Sequence, residues 1–235
     1  MDYRIRPDRF NFFRTGIPNA VHNVRKLAGN YKKYHGQGKR GLVVKFIRAN
    51  LMLPWIIDQF DVDALLVTRH PCAVIASRLK LGGDDWTSQL VLNRYRSDQQ
   101  VVRLIQDNFG IDINESFSSV AALTCVWCIE NLLPIKWAAD AGYMVTAYEN
   151  LLAAPDREWK RVIQGLGLSH VPGGAVFQSP SQQVSPEMRG KAFSASHLGK
   201  WREILSAEQI SDISSMLDRF SCLIYSVNED FPRGM

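Results

Sequence analysis

Two side chains near the middle of the chain, Arg69 and Ser77, have the types and spacing to hold a phosphate. A guanidinium is a planar fork that meets phosphate oxygens two at a time. Ser77, eight residues on, offers a hydroxyl donor. The elements around them must bring the two together. Ala64–Val67 is a short apolar run between Asp63 and Arg69 and reads as a buried parallel strand. Pro71 suits the first turn of a helix, where its missing N–H costs nothing. Val74, Ile75, Leu79 and Leu81 then recur at helical spacing until Gly82-Gly83 ends the run. Strand, tight turn and helix place Arg69 beside a helix N-terminus, whose free amides and dipole favour an anion. On this stretch alone an equally good alternative has Arg69 facing a carboxylate and Ser77 packed as a small residue.

Other reactive residue types point less clearly. Cys125 and Cys128 form a C-x-x-C inside an apolar helical run without a second pair, so the four cysteines read as reduced core residues rather than a zinc or redox site. His22, His35 and His70 read as surface or structural. The glycine-rich, basic stretch 35–41 has no G-x-x-x-x-G-K-[ST] pattern and precedes a strand, so it reads as a turn.

A chain of 235 residues fits one domain with a substantial core. The net charge of +5 suits an anionic ligand and ordinary solubility alike, and it is too dispersed to argue for nucleic acid. No signal-peptide core opens the chain. No apolar stretch approaches the length of a membrane span, the run 51–57 being interrupted by Pro54. A soluble, cytoplasmic protein is expected.

In chain order, 1–16 is a segment draped over the core and Pro18–Tyr34 a helix. Gly41–Ile47 is expected as a buried strand and Ala49–Phe60 as a helix containing Pro54. Asp84–Phe109 forms one or two helices. Ser116–Ala141 is a long helix kinked at Pro134 and ended by Gly142. Tyr143–Tyr148 is a further strand. A helix with Trp159, Val162 and Ile163 follows, then a Ser-, Pro- and Gly-rich loop over 169–196, and a last helix capped by Ser206 with Gln209 in its first turn. Alternating strands and helices predict a parallel sheet with ligands at the carboxyl ends of its strands.

Three ordered motifs resemble a known family. Leu65-Leu-Val-Thr-Arg69-His-Pro71 with Ser77 resembles the 3′-phosphate-binding motif of sulfotransferases that use 3′-phosphoadenosine-5′-phosphosulfate (PAPS). Tyr148-Glu-Asn-Leu151 resembles the family's Tyr-Glu-Asp-Leu segment, after a long helix carrying Trp127, with Asn150 in place of the usual Asp. His197-Leu-Gly-Lys-Trp-Arg202 is similar to the Gly-x-Trp-Lys/Arg segment that closes over the nucleotide. Ser194-Ala-Ser196 stands where the family has Arg-Lys-Gly. The likeness spans residues 41–225.

The resemblance implies an α/β fold of three layers, like that of P-loop NTPases, with a short parallel sheet flanked by helices in a single domain over 1–235. It implies that Arg69 and Ser77 hold the 3′-phosphate and that Tyr148 packs near adenine. Ser196, Gly199 and Lys200 would line the closing loop, and Lys45 would supply charge at the transferring group. PAPS is the implied donor, with no metal; the acceptor is a small molecule or glycan carrying a hydroxyl or amine. The family's first strand and 5′-phosphosulfate loop have no counterpart among the residues before Arg69, and Phe46-Ile47 stands where many relatives have a Thr-His pair with the general base. A chain truncated at its N-terminus, or an inactive relative that binds nucleotide or acts as a scaffold, is therefore also expected.

Overall fold

The computed structural model describes residues 43–46, 49–81, 88–168 and 195–234, with the backbone alone at 81, 88, 195 and 196. The expected helix 18–34, the turn 35–41 and most of the loop 169–196 lie outside the described residues. The fold is mixed α/β and mostly helical. Its sheet is two parallel strands, β1 (Leu65–Thr68) and β2 (Met144–Ala147), paired from Leu65 with Met144 to Thr68 with Ala147. A 3-10 turn (Asn50–Met52) and helix α1 (Leu53–Phe60) precede β1. Between the strands run α2 (Pro71–Leu81), α3 (Ser88–Arg96), α4 (Gln99–Phe109) and α5 (Ser119–Ala141). After β2 come α6 (Tyr148–Ala153), α7 (Pro155–Gly165), a 3-10 segment (Ala195–Glu203) and α8 (Ala207–Arg219).

Local signals explain most boundaries. The helical pattern before Phe109 divides because Asp98 caps α4, accepting the Gln100 amide at 2.9 Å and the Val101 amide at 3.3 Å. Gly142 ends α5 at φ 72°, a left-handed turn that favours glycine. Ser206 and Gln209 exchange hydrogen bonds across the first turn of α8, the capping box that the sequence predicts. Pro54 lies in the first turn of α1, so it starts that helix instead of bending it.

The core is built on α5. It is apolar on all sides, with Leu123, Val126, Ile129 and Leu133 buried along its length. Helices α1, α2, α3 and α8 and the sheet pack around it. Its length and composition would also suit a bilayer, which corrects the expectation that no stretch is long enough; here 72% of its most apolar window is buried inside the protein.

Pro134 sits within α5 and cannot donate to the carbonyl of Glu130. That carbonyl is met from outside the helix by the Asn50 side-chain amide at 3.0 Å. Asn50→Ala should therefore cost about 1–2 kcal/mol. In Pro134→Ala, which restores the helical N–H, the same change should cost much less. Urea unfolding of the four proteins of this double-mutant cycle checks it; additive losses would refute the pairing.

The expected strand over 41–47 does not form in its described part. Residues 43–46 are irregular, and Val43 is 92% exposed. Apolar alternation alone does not make a strand: the backbone needs a ladder partner, and among the described residues only β1 and β2 pair.

Candidate functional site

The strand register builds the site. Thr68 pairs with Ala147 at the carboxyl ends of β1 and β2, so the next residues, Arg69 and Tyr148, emerge side by side. The Arg69 guanidinium lies over the Tyr148 ring, 4.7 Å from its centroid. Arg69 is exposed, and among the described residues no carboxylate forms an ion pair with it. The guanidinium rests on the aromatic ring with part of its surface in solvent, and the carboxylate that feels its charge, Glu149, is buried and hydrogen-bonded elsewhere. The backbone beneath is fixed as well: Trp127, 2% exposed, donates its indole N–H to the Arg69 carbonyl at 3.1 Å.

His70 is the hub behind this arginine. It is 1% exposed, and both ring nitrogens are engaged. Nε2–H faces the carbonyls of Ser226 at 3.1 Å and Glu229 at 2.9 Å, and Nδ1 accepts the Cys72 amide at 3.2 Å. That pattern fixes the neutral tautomer with its proton on Nε2. Burial pushes the His70 pKa down, against the opposing pull of the two carbonyls and Asp230. The ring stacks on Trp201 with centroids 5.2 Å apart and meets Tyr225 edge to face at 5.3 Å. His70 thereby ties the C-terminal segment to the end of the sheet.

This changes the expectation for the N-terminus of α2. Pro71 has no donor, the Cys72 amide is taken by His70 Nδ1 and the Val74 amide by the His70 carbonyl at 3.1 Å. Much of the first turn is satisfied internally, so anion recognition here falls chiefly on Arg69.

Glu149 stands directly below. It is 1% exposed; Oε1 accepts the His70 amide and Oε2 the Tyr225 hydroxyl, each at 2.9 Å. Burial raises its pKa, opposed by those donors and by the Arg69 charge. Burial likewise raises the pKa of the Tyr148 hydroxyl, with Arg69 opposing.

Among the described side chains, no hydrogen bond or ion pair joins the other expected site residues to Arg69. Ser77 is exposed on α2, about 9 Å along the helix axis from Pro71 at 1.5 Å per residue, and no hydrogen bond joins it to Arg69. Lys45 lies on the exposed irregular stretch, away from any described strand. Lys200 is exposed on the 3-10 segment, and the side chain of Ser196 lies outside the described residues. Gly199 has a local reason of its own: a Cβ there would come within 3.0 Å of Arg202 Nη1 and 3.4 Å of Asp230 Oδ2. The Arg202–Asp230 ion pair lies against Gly199. Cys72, Cys125 and Cys128 are buried thiols, and burial pushes Cys72 and Cys125 up to about 12. They pack as apolar residues.

Sequence reasoning reads His70 as surface or structural and assigns Glu149 no role of its own. Both lie within the motifs, but burial is a tertiary property that no spacing displays. No family model, curated protein or solved structure matches the chain.

Proposed function

We propose that the protein is a sulfotransferase-like nucleotide binder that takes the 3′-phosphate of PAPS, or of its product adenosine 3′,5′-bisphosphate, at Arg69. The observation that carries this is the unpaired guanidinium at the carboxyl end of β1, braced on Tyr148. An exposed arginine resting on an aromatic ring, with no described carboxylate at ion-pair distance, is available to an anionic ligand. Tyr148 offers the aromatic surface that a purine stacks upon. The motif order from Arg69 through Tyr148 to Trp201 supports the sulfotransferase class, and sulfuryl transfer to a hydroxyl or amine is the activity that class implies.

A second reading, nucleotide binding without transfer, has its own observation. Transfer to a hydroxyl requires a base within reach of the acceptor. Two described groups of suitable type beside Arg69 and Tyr148 are enclosed: His70 has both nitrogens engaged and Glu149 both oxygens.

Calorimetric titration with adenosine 3′,5′-bisphosphate is the test. Arg69→Ala should weaken binding at least tenfold, and Arg69→Lys should recover only part of it because an ammonium lacks the fork. Equal affinity in wild type and Arg69→Ala would remove the assignment. Release of adenosine 3′,5′-bisphosphate from PAPS in the presence of phenol, amine and sugar acceptors separates the two readings.

A further inference from the structure

The buried carboxyl of Glu149 has no part in gripping an anion, yet it lies at the root of the residue that does. Its Oε1 is bonded to the amide of His70, the residue after Arg69, and its neighbour in sequence, Tyr148, carries the Arg69 guanidinium on its ring. An anion arriving at Arg69 enters the field of a carboxylate that is shielded from water. The Glu149 carboxylate is enclosed by protein and held partly in its ionised form by the Arg69 charge, so a second anion on that guanidinium opposes the ionised form.

We propose that an anion bound at Arg69 is taken up together with a proton, and that the proton goes to the Glu149 carboxyl. The inference rests on the reading of Arg69 as the phosphate-binding residue. The proton comes from solvent, an O–H bond forms at Oε2, and nothing else is made or broken.

The surroundings of Glu149 accommodate both charge states. Ionised, it accepts from the His70 amide and the Tyr225 hydroxyl. Protonated at Oε2, it donates to the Tyr225 oxygen, whose own proton turns to Thr68. Thr68 can receive it because its hydroxyl donates onward to Asn131 Oδ1 at 3.1 Å. Only the Glu149–Tyr225 bond reverses, and no donor in the chain is left unpaired. The titratable and charged groups that act on Glu149 or bond to it are Arg69 and His70 from the β1–α2 junction, Tyr148 from its own helix, and Tyr225 from the C-terminal segment; the 3-10 segment and α7, which pack against that helix, bring His197, Lys200, Arg202, Asp156 and Arg157. Of the groups that act on Glu149 or bond to it, only Arg69 carries a fixed positive charge, and the anion neutralises it. Loss of that charge removes one of the influences that keep Glu149 ionised. The carboxyl is 1% exposed, so a role as the base for an acceptor hydroxyl is closed to it, and proton storage is what its position permits.

The test is titration of wild type and Glu149→Gln with adenosine 3′,5′-bisphosphate in buffers of different ionisation enthalpy. The ligand's own proton exchange is common to both proteins and drops out of the difference. The expected result is greater proton uptake by wild type, up to one proton per site, with affinity falling up to tenfold per pH unit across the linked range. Glu149→Gln should keep its affinity at high pH, several-fold tighter than wild type there. Equal uptake by the two proteins would overturn the proposal while leaving the phosphate site intact. Absence of binding to wild type would overturn the site itself and the proposal with it. Should the glutamine variant not fold, infrared difference spectra of wild type decide: ligand addition should produce a protonated-carboxyl band, and its absence refutes the proposal.

Discussion

Replacing His70 with alanine should destabilise the protein by about 3–5 kcal/mol, a large share of the roughly 5–15 kcal/mol that holds a typical domain together. The loss has three sources. The carbonyls of Ser226 and Glu229 lose their shared donor, and the Cys72 amide loses its acceptor. A cavity also opens between Trp201 and Tyr225. Because three of those partners, Tyr225, Ser226 and Glu229, lie in the segment after α8, that segment should become the first site of proteolytic cleavage. Urea denaturation and limited proteolysis check both parts; a loss under about 1 kcal/mol would show that the hub is not structural.

The same residue sets a pH dependence whose sign follows from its environment. The folded pKa of His70 lies below the ordinary 6.5, so below that pH the unfolded chain binds more protons. Its contribution to stability is full above pH 6.5 and is lost as pH falls toward the folded value. Glu149 works in the opposite sense. Its folded pKa lies above 4.5, so the folded state binds more protons and stability declines as pH rises from 4.5 through that raised value. The two contributions oppose each other in wild type. The difference in stability between wild type and His70→Ala isolates the histidine, and it should grow as pH rises toward 6.5 and then level off.

Trp127→Ala should cost about 3–5 kcal/mol as well, by a different route. The indole is buried in α5, meets Tyr225 edge to face at 5.7 Å and holds the Arg69 carbonyl. Trp127→Phe separates these roles. It keeps most of the ring volume and leaves the Arg69 carbonyl without its donor, so the expected cost falls to about 1–2 kcal/mol. If Arg69 binds the proposed nucleotide, affinity in Trp127→Phe should also fall, because the backbone that aims Arg69 loses one of its ties to the core. If the phenylalanine variant matches wild type in both stability and affinity, the indole N–H has no positioning role.

Much of the local structure was legible in the residues. The β1–α2 unit follows from an apolar run, Arg69 and Pro71, and the ends of α4, α5 and α8 follow from Asp98, Gly142 and Ser206. These signals act through the backbone within a few residues, where chemistry along the chain suffices. Asn50 marks the limit of that reach: its amide answers Pro134, 84 positions away, and nothing in either neighbourhood announces the match.

Residue types along the chain settle the chemistry available at the end of the sheet and the turn that carries it: a fork-shaped cation, an aromatic residue, and a proline that opens a helix. The tertiary structure alone decided which of them meet. Strand register set Arg69 against Tyr148, burial turned His70 and Glu149 into partners of the main chain, and an ion pair filled the space before Gly199. The reason is the range of the forces involved. Turn and cap preferences are settled by neighbours in the chain, whereas burial, and with it the proton affinity of a carboxyl or imidazole, depends on segments that become neighbours only when the core has formed.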